Sequence, residues 1–455
     1  MAVDNVAASN VDVSNLATQD KVFAKLTRWG IPRDGTLAVA FSGGGDSTAL
    51  LDLLLKWCEN GHVFAFIVDH ALRENSDKEA KLAQGRAQAM GAQTKILTCQ
   101  WPNGTPTTGI QEKARNARYQ LLGEACRDLG VDMLMLGHNQ DDQAETVLMR
   151  QDAGSGWRGL AGMRAYSLAP IWPALCGVII VRPMLSCSRD ELRTYSRKIG
   201  LKWIEDPSNE NRSFARIRAR EYLATHENEK QNLLLTSKAA SETLALEKAK
   251  IAYFIKDNTE LHAWGGMTLL PGFHSAKLGQ GAEALKYLLP AISGQALPPA
   301  SDKRMNLARR LRSPDFSGAT LGGVRFVPMK GGILCVRELG ALKGRSGVNA
   351  HPKLKLFPDA VNIWDGRFAV TGSVEALSGD IYVDAFDDWE VILDEPYKGA
   401  YNILNTLPVF ARQVLPVMIK NNFVVHISIL DIPLKMQGIQ VRSLLGEHLH
   451  ALLSE

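Results

Sequence analysis

The stretch LAVAFSGGGDSTALLDLLLKW, Leu37 to Trp57, constrains the fold more than any other part of this chain. Leu37 to Phe41 are all apolar and read as a strand buried on both faces, and an apolar helix starts near Thr48. Between them lie Ser42, Gly43, Gly44, Gly45, Asp46 and Ser47. Glycines let the backbone turn sharply and bring N–H groups to an anion, and the helix points its positive end at the same place. The stretch therefore reads as a phosphate cradle. It is not GxxxxGK(S/T), because an acid stands where that loop needs lysine, and the spacing of GxGxxG fails too. A carboxylate beside phosphates calls for a divalent cation between them, so Asp46 is the candidate magnesium contact. The plain alternative is a tight glycine turn in which Ser42 or Asp46 caps a helix.

The alternation continues downstream. VFAFIV (Val63 to Val68), TKILT (Thr94 to Thr98) and MLMLG (Met133 to Gly137) are strand-like, with helical stretches over 76–90, 111–129 and 142–150. Apolar strands separated by helices specify βαβ units and a buried parallel sheet, so the first 150 residues read as doubly wound α/β. A glycine-rich run from Ala153 to Gly162 breaks the pattern, and VIIV (Val178 to Val181) with a helix over 189–200 adds one more pair. Residues 221–250 read as a connecting helix, 301–311 as a basic and apolar helix, and the last 120 residues as strands ending in a helix. The expected division is a disordered lead over 1–20, an α/β domain over 21–222, a helical linker domain over 223–345, and a smaller C-terminal α+β domain, mainly β, over 346–455.

At 45% hydrophobic and 22% charged the chain is neither disordered nor low in complexity. Its net charge of +4 is too mild to mark a nucleic-acid binder by composition, so any polyanion contact must come from local clusters. The 6 cysteines form no CxxC pair, which excludes a zinc knuckle or a disulfide framework and fits a reducing compartment. The N-terminal stretch carries no signal-peptide pattern and no run is long enough to span a bilayer, so the expectation is a cytoplasmic protein without a membrane partner.

A second constellation lies in LGHNQDDQAETVLMR. His138 ends a strand, Asp141 and Asp142 start a helix, and Glu145 sits on its first turn. Helical spacing puts Asp142 and Glu145 on one face and lets Asp141 converge with Glu145. Carboxylates and an imidazole thus gather at the carboxyl end of a parallel strand, where open α/β sheets bind ligands. The bland reading is a helix start stabilised by acids.

SGGxDS after a strand resembles the loop of the PP-loop ATP pyrophosphatases. The further motifs HxxDDQxET with LMR, GSGxxGLxGM (Gly154 to Met163), RPML (Arg182 to Leu185) and WxEDPSN (Trp203 to Asn209) narrow the resemblance, in that order, to the tRNA(Ile)-lysidine synthases. VDHALR (Val68 to Arg73) and ARNARY (Ala114 to Tyr119) fit the same family, so the likeness covers about residues 35–220. ATLGG (Ala319 to Gly323), Arg337 with Glu338, and WDGRF resemble C-terminal parts of some members with lower specificity. One departure is Ala153, where the family usually has arginine before GSG.

The resemblance implies ATP-dependent modification of the wobble cytidine of an isoleucine tRNA with a CAU anticodon. The base O2 attacks the α-phosphate of ATP and releases pyrophosphate, and the ε-amine of free lysine then displaces AMP at C2. ATP and Mg2+ are the implied cofactors; tRNA, free L-lysine and ATP are the implied partners, with a homodimer left open. On this reading Ser42, Gly43, Gly44, Gly45, Asp46 and Ser47 hold the phosphates. Arg115 and Arg118 meet phosphate or transition-state charge, or are solvated helix arginines. His138 orients the α-phosphate or the base. Asp142 and Glu145 hold the lysine ammonium and one takes its proton, because an amine must be neutral to attack. Asp69 is an adenosine-side or metal contact, or a plain turn former.

For the RNA, NRSFARIRAR supplies Arg212, Arg216, Arg218 and Arg220 with no acid, and SDKRMNLARRLR supplies Lys303, Arg304, Arg309, Arg310 and Arg312. Both also read as solvated helix faces. Trp157 stacks a base or packs locally. Among competing classes, base thiolases usually add cysteine pairs, and a non-catalytic tRNA-binding module would have no need to keep Asp46 or the carboxylates.

Overall fold

Strand β1 (Thr36–Ala40) is buried at every position after Thr36, as its unbroken apolar run requires. In the computed structural model it lies inside a six-stranded sheet ordered β3-β2-β1-β4-β6-β5, with β2 (His62–Asp69), β3 (Gln93–Thr98), β4 (Met133–Met135), β5 (Tyr166–Leu168) and β6 (Ile179–Val181). The pairs β3–β2, β2–β1, β1–β4 and β4–β6 are all parallel. The structure describes residues 18–59, 61–102, 104–205, 215–344, 350–385, 404–421, 423–426 and 438–454. Most of the expected lead, positions 1–17, thus lies outside the described residues, while Thr18 opens helix α1 (Thr18–Arg28).

The helices that follow are α2 (Gly45–Trp57), α3 (Ser76–Ala89), α4 (Ile110–Asp128), α5 (Gln140–Asp152), α6 (Arg189–Lys198), α7 (Ala215–Thr225) and α8 (Glu227–Asn258). Leu50, Leu51, Leu53, Leu54 and Trp57 of α2 pack with Leu37 and Val39 of β1 and Val63, Ala65 and Ile67 of β2. Each such leucine contributes roughly 1.5–3 kcal/mol by leaving water. The register pairs Ala38 with Leu134 and Val39 with Met135, so the loops leaving β1 and β4 emerge side by side. Here the strand order reverses, opening a crevice at the carboxyl ends. Gly137 permits the closest approach: a Cβ there would sit 3.3 Å from the Asp46 backbone.

Two features depart from the sequence expectation. Tyr166–Leu168 forms the edge strand β5 after the glycine-rich run, too short to show periodicity. The polar stretch expected as one connecting helix is two, α7 and α8. The Thr225 hydroxyl turns back to donate to Tyr222 O at 3.1 Å, His226 stacks on Tyr222 at 4.1 Å, and Glu227 and Glu229 then supply acids for a new helix start.

The described residues gather into two units. One comprises Met1–Leu122, Val131–Tyr166 and Ile179–Glu242; the other comprises Gly123–Gly130, Ser167–Val178 and Thr243–Glu455. In the second, β7 (Thr259–Leu261), β8 (Met267–Leu269), β9 (Ala319–Leu321), β10 (Val324–Met329) and β11 (Gly332–Arg337) form an antiparallel sheet ordered β7-β8-β11-β10-β9. Helices Leu278–Ser293 and Ser301–Leu311 bury Leu285, Leu288, Leu289 and Leu307 with Phe326 and Cys335 of that sheet. Two further small sheets and the helix Leu445–Ser454 follow.

The segment 167–178 belongs to this second unit through Trp172. Its indole donates to Gly366 O at 2.8 Å and stacks on His448 at 3.9 Å. His448 is 1% exposed, and burial pushes its imidazole down to about 3. Nearby, Cys176 Sγ donates to Glu447 Oε1 at 3.0 Å. Two weak C-terminal motifs also meet: Arg337 grips Asp365 of WDGRF through bonds of 2.9 and 3.0 Å, and Arg367 closes on the same carboxylate. All cysteines are free and buried. Among the described residues no helix is long and apolar enough to cross a membrane.

Candidate active site

The glycine loop leaves β1 and enters α2 without a side-chain cap on the helix, which leaves the first-turn N–H groups facing outward. Gly43 has φ +79°, which favours glycine, and a Cβ there would have to push the Ile204 Cδ1 aside from 2.7 Å. Ile204 N–H donates to Gly43 O at 2.8 Å, and the Trp203 ring lies over Gly45. The hydroxyls of Ser42 and Ser47 lie 3.1 Å apart, and Ser47 Oγ donates to Gly44 O at 2.9 Å. Two hydroxyls and a row of amides thus face one small space, as an anion cradle needs.

Beside it, α5 begins with a capping box: Asn139 Oδ1 accepts from Asp142 N–H and Asp142 Oδ2 from Asn139 N–H, each at 3.0 Å. The box fixes the Asp142 carboxylate through Oδ2 and leaves Oδ1 to the arginines around it. Glu145, one turn on, is 1% exposed. Its Oε2 accepts from Arg216 at 2.8 Å and its Oε1 from Arg220 at 2.8 Å. Asp142 Oδ1 accepts from Arg216 at 3.1 Å. Arg189 reaches Asp142 Oδ1 and Glu145 Oε1, both at 3.3 Å, and approaches Asp46 at 4.0 Å. Asp141 pairs with Lys230 at 2.9 Å. Among the described residues, four acids thus face four cations.

The electrostatics follow from this packing. Burial alone would raise the Glu145 carboxyl, but Arg220 and Arg216 hold it below its ordinary value. Asp141 is lowered against burial by the Arg189 backbone N–H and by Lys230. Asp46 goes the other way: burial raises it against the pull of Arg189, and Asp142 adds repulsion. Asp46 is therefore the under-compensated acid of the group. Close by, the buried Asn139 side chain faces Asp46 and pulls its carboxyl down, though its Nδ2 makes no hydrogen bond of ordinary length among the described residues. A carboxylate raised by burial beside an anion cradle suits a polyphosphate with its divalent ion. Loop and cluster line one cavity of about 700 Å³, whose walls include Ser42, Asp46, Glu145, Arg189, Trp203 and Lys230.

The remaining expected residues are placed unevenly. His138 accepts at Nδ1 from Arg182 Nε at 3.2 Å, and burial, with Arg182, Arg118, Arg216 and Arg115, holds the ring well below its ordinary value. It is a neutral imidazole at pH 7. Arg115 and Arg118 sit on α4 over the Tyr119 ring, at 5.0 and 5.7 Å, and reach His138 through their field. Asp69 Oδ1 accepts from Ala71 N–H at 2.9 Å, the geometry of a turn former. Of the arginines expected along the RNA, Arg216 and Arg220 are on the carboxylates, Arg218 is exposed on another face of α7, and Arg212 lies outside the described residues. In the second basic run Arg304 turns inward to Pro299 O and Arg310 bonds Gly318 O at 2.7 Å. Trp157 is exposed with Arg158 over its ring. Near Ala153, Arg150 braces the glycine-rich run through Gly159 O at 2.8 Å. Sequence reasoning missed Asn139, Arg189 and Lys230; the signal for Arg189 was the S-x-x-E box of Ser188 and Glu191 after a strand.

A PP-loop domain model matches residues 16–227. The chain is 36% identical over 312 residues to the tRNA(Ile)-lysidine synthase of Hyphomonas neptunium, covering 68% of this chain and 83% of that protein. It is 33% identical over 362 residues to the tRNA(Ile)-lysidine synthase of Caulobacter vibrioides, covering 79% and 80%. Among solved structures, a U34-tRNA thiolase from Methanococcus maripaludis aligns at 20% identity with a TM-score of 0.42, covering 50% of this chain and 78% of that one.

Proposed function

The chain belongs to the tRNA(Ile)-lysidine synthase family of ATP-using PP-loop ligases, and on that premise we propose that it joins free lysine to C2 of the wobble cytidine of isoleucine tRNA. The observation that carries this reading is the shared cavity, with an anion cradle on one wall and cation-binding carboxylates on the other. A reaction that consumes a nucleoside triphosphate and then an amine needs both in one place.

The amides of Gly44 to Ser47 and the hydroxyls of Ser42 and Ser47 hold the pyrophosphate end of ATP. The cytidine O2 attacks the α-phosphorus, the bond to the bridging oxygen breaks, and pyrophosphate leaves. Asp46, beside the phosphate loop, is the residue that would hold a magnesium ion here. Bound there, it would neutralise charge on the departing pyrophosphate. Neutral His138 directs the α-phosphate or the base, and Arg115 and Arg118 supply positive field around it.

For the second step the lysine ammonium docks between Glu145 Oε2 and Asp142 Oδ1, the two oxygens that Arg216 occupies. One carboxylate takes the proton and the neutral amine attacks C2, expelling AMP. The exchange is feasible because Arg216 is 42% exposed whereas Arg189 is 14% exposed. A displaced Arg216 joins Arg212 and Arg218 as partners for RNA phosphates, while Arg220 stays on Glu145, and residues 223–345 extend that contact. Incubation with ATP, labelled lysine and unmodified isoleucine tRNA tests the reading. Label recovered in the RNA supports it, and RNA without label ends it.

A further inference from the structure

We infer that Arg189 is the positioning residue that fixes the lysine-binding carboxylates relative to the phosphate loop. The inference rests on the ligase reading above. Arg189 is the first residue of α6, and its backbone is locked from both sides. Ser188 Oγ accepts from Glu191 N–H at 3.2 Å and Glu191 Oε2 from Ser188 N–H at 2.7 Å, while the Arg189 N–H itself donates to Asp141 Oδ2 at 2.8 Å. One residue before the cap, Cys187 O accepts from Gln140 N–H at 2.9 Å, tying the start of α5 to the start of α6.

From this anchored backbone the guanidinium reaches Asp142 Oδ1, Glu145 Oε1 and, at its Nε edge, Asp46 Oδ2. Its guanidinium thus bonds Asp142 and Glu145 and approaches Asp46 at 4.0 Å, while its main-chain N–H holds Asp141. The other three cations are partial. Lys230 meets Asp141 and its helix neighbour Glu227, and Arg216 and Arg220 grip Glu145 with Arg216 also on Asp142. Arg216 and Arg220 are also the more exposed, at 42% and 35% against 14% for Arg189.

The division of oxygens gives the role its content. Arg189 and Arg220 hold Glu145 Oε1, and Asn139 N–H holds Asp142 Oδ2. When Arg216 gives way, Glu145 Oε2 is released while Oε1 stays pinned, and the two acids keep their spacing. The amine then meets acceptors already aimed, the condition under which bound geometry contributes most to rate. A planar fork suits this better than a point charge, because it bonds two carboxylates at once with little freedom left to lose.

The test is steady-state lysidine formation by the full chain with ATP and isoleucine tRNA, comparing Arg189→Ala and Arg189→Lys with the parent. Hydrogen bonds to charged groups contribute about 1.5–3 kcal/mol, roughly 10–100-fold, and the KM for lysine should rise by that order in Arg189→Ala. The KM for ATP should rise far less, because Asp46 is approached only at 4.0 Å. Arg189→Lys keeps the charge without the fork, so its lysine KM should fall between parent and alanine variant; it also serves if the alanine variant does not fold. An unchanged lysine KM, or equal rises for lysine and ATP in the lysine variant, would overturn the inference alone. A parent chain that puts no label into tRNA overturns the ligase reading and the inference together.

Discussion

Each unit holds a cluster of arginines and carboxylates, and the two clusters are built for opposite ends. In the second unit Asp365 is 6% exposed and Arg367 3%, with Arg337 on the other side of the acid. The donors left over are used locally, Arg367 Nη2 on Val414 O at 3.0 Å and Arg337 Nη1 on Gly323 O at 3.3 Å. Burial, opposed by Asp365 and aided by Arg337, pulls the Arg367 guanidinium down to about 10. In the first unit, acids and cations also balance, but the balance is struck by long side chains reaching in from a half-exposed helix face, next to a cavity. A closed cluster holds its parts in place. An open one keeps them available, because its counter-ions can be replaced by a substrate cation without stranding a charge.

Breaking the closed cluster should have the largest effect. Asp365→Ala strands two guanidinia and should cost about 3–5 kcal/mol of stability, read from chemical denaturation of the full chain. A loss below about 1 kcal/mol would mean that water already reaches the group. In the open cluster the larger loss should be chemical. Glu145→Ala or Asp142→Ala should slow lysine transfer by about 100-fold or more while adenylated tRNA still accumulates in single-turnover reactions with labelled ATP. Normal lysidine formation in both variants would sink the assignment. Arg216→Ala should weaken tRNA binding moderately and reduce the slope of log K against log salt by about 1; an unaltered slope would count against exchange between carboxylate and phosphate.

Acid should separate the two units by pH, and this is the smallest effect. His448 is depressed to about 3 from an ordinary 6.5, so the unfolded chain binds the extra proton in that window and the second unit loses stability as pH falls from about 6.5. Glu145 is held below its ordinary 4.5, so its stabilising contribution to the first unit is present above about 4.5 and is lost as pH falls through the lowered value. Asp46, raised above its ordinary value, works against Glu145. Urea midpoints measured down the pH scale should therefore show the second unit weakening first. A His448→Gln chain in which its early weakening persists would assign that effect to other groups.

The parts of this molecule that sequence reveals are those that local rules build. The run from Leu37 to Phe41, the glycines after it and the spacing of Asp142 and Glu145 each declare themselves within a few residues, and sheet and acid pair follow from them. The counter-ions do not. Arg189 reaches Asp142 across 47 positions and Arg220 reaches Glu145 across 75, and no periodicity encodes which arginine of NRSFARIRAR turns inward. Arg216 and Arg220 face the acids because they are one helical turn apart, whereas Arg218 between them cannot. The sequence thus announced a basic run, but tertiary packing decided that two of its three described arginines answer carboxylates.

The membership of residues 167–178 in the second unit has a consequence for biosynthesis. Cys176 and its partner Glu447 are 271 positions apart. At about 5–20 residues per second, on the order of tens of seconds pass between their syntheses. During that time the Trp172 indole, stacked on His448 in the finished protein, has left the ribosome without its cover. A chain cut near residue 345 would keep that indole uncovered permanently. Shortened chains should therefore aggregate more readily than the full chain, which light scattering on the two would check.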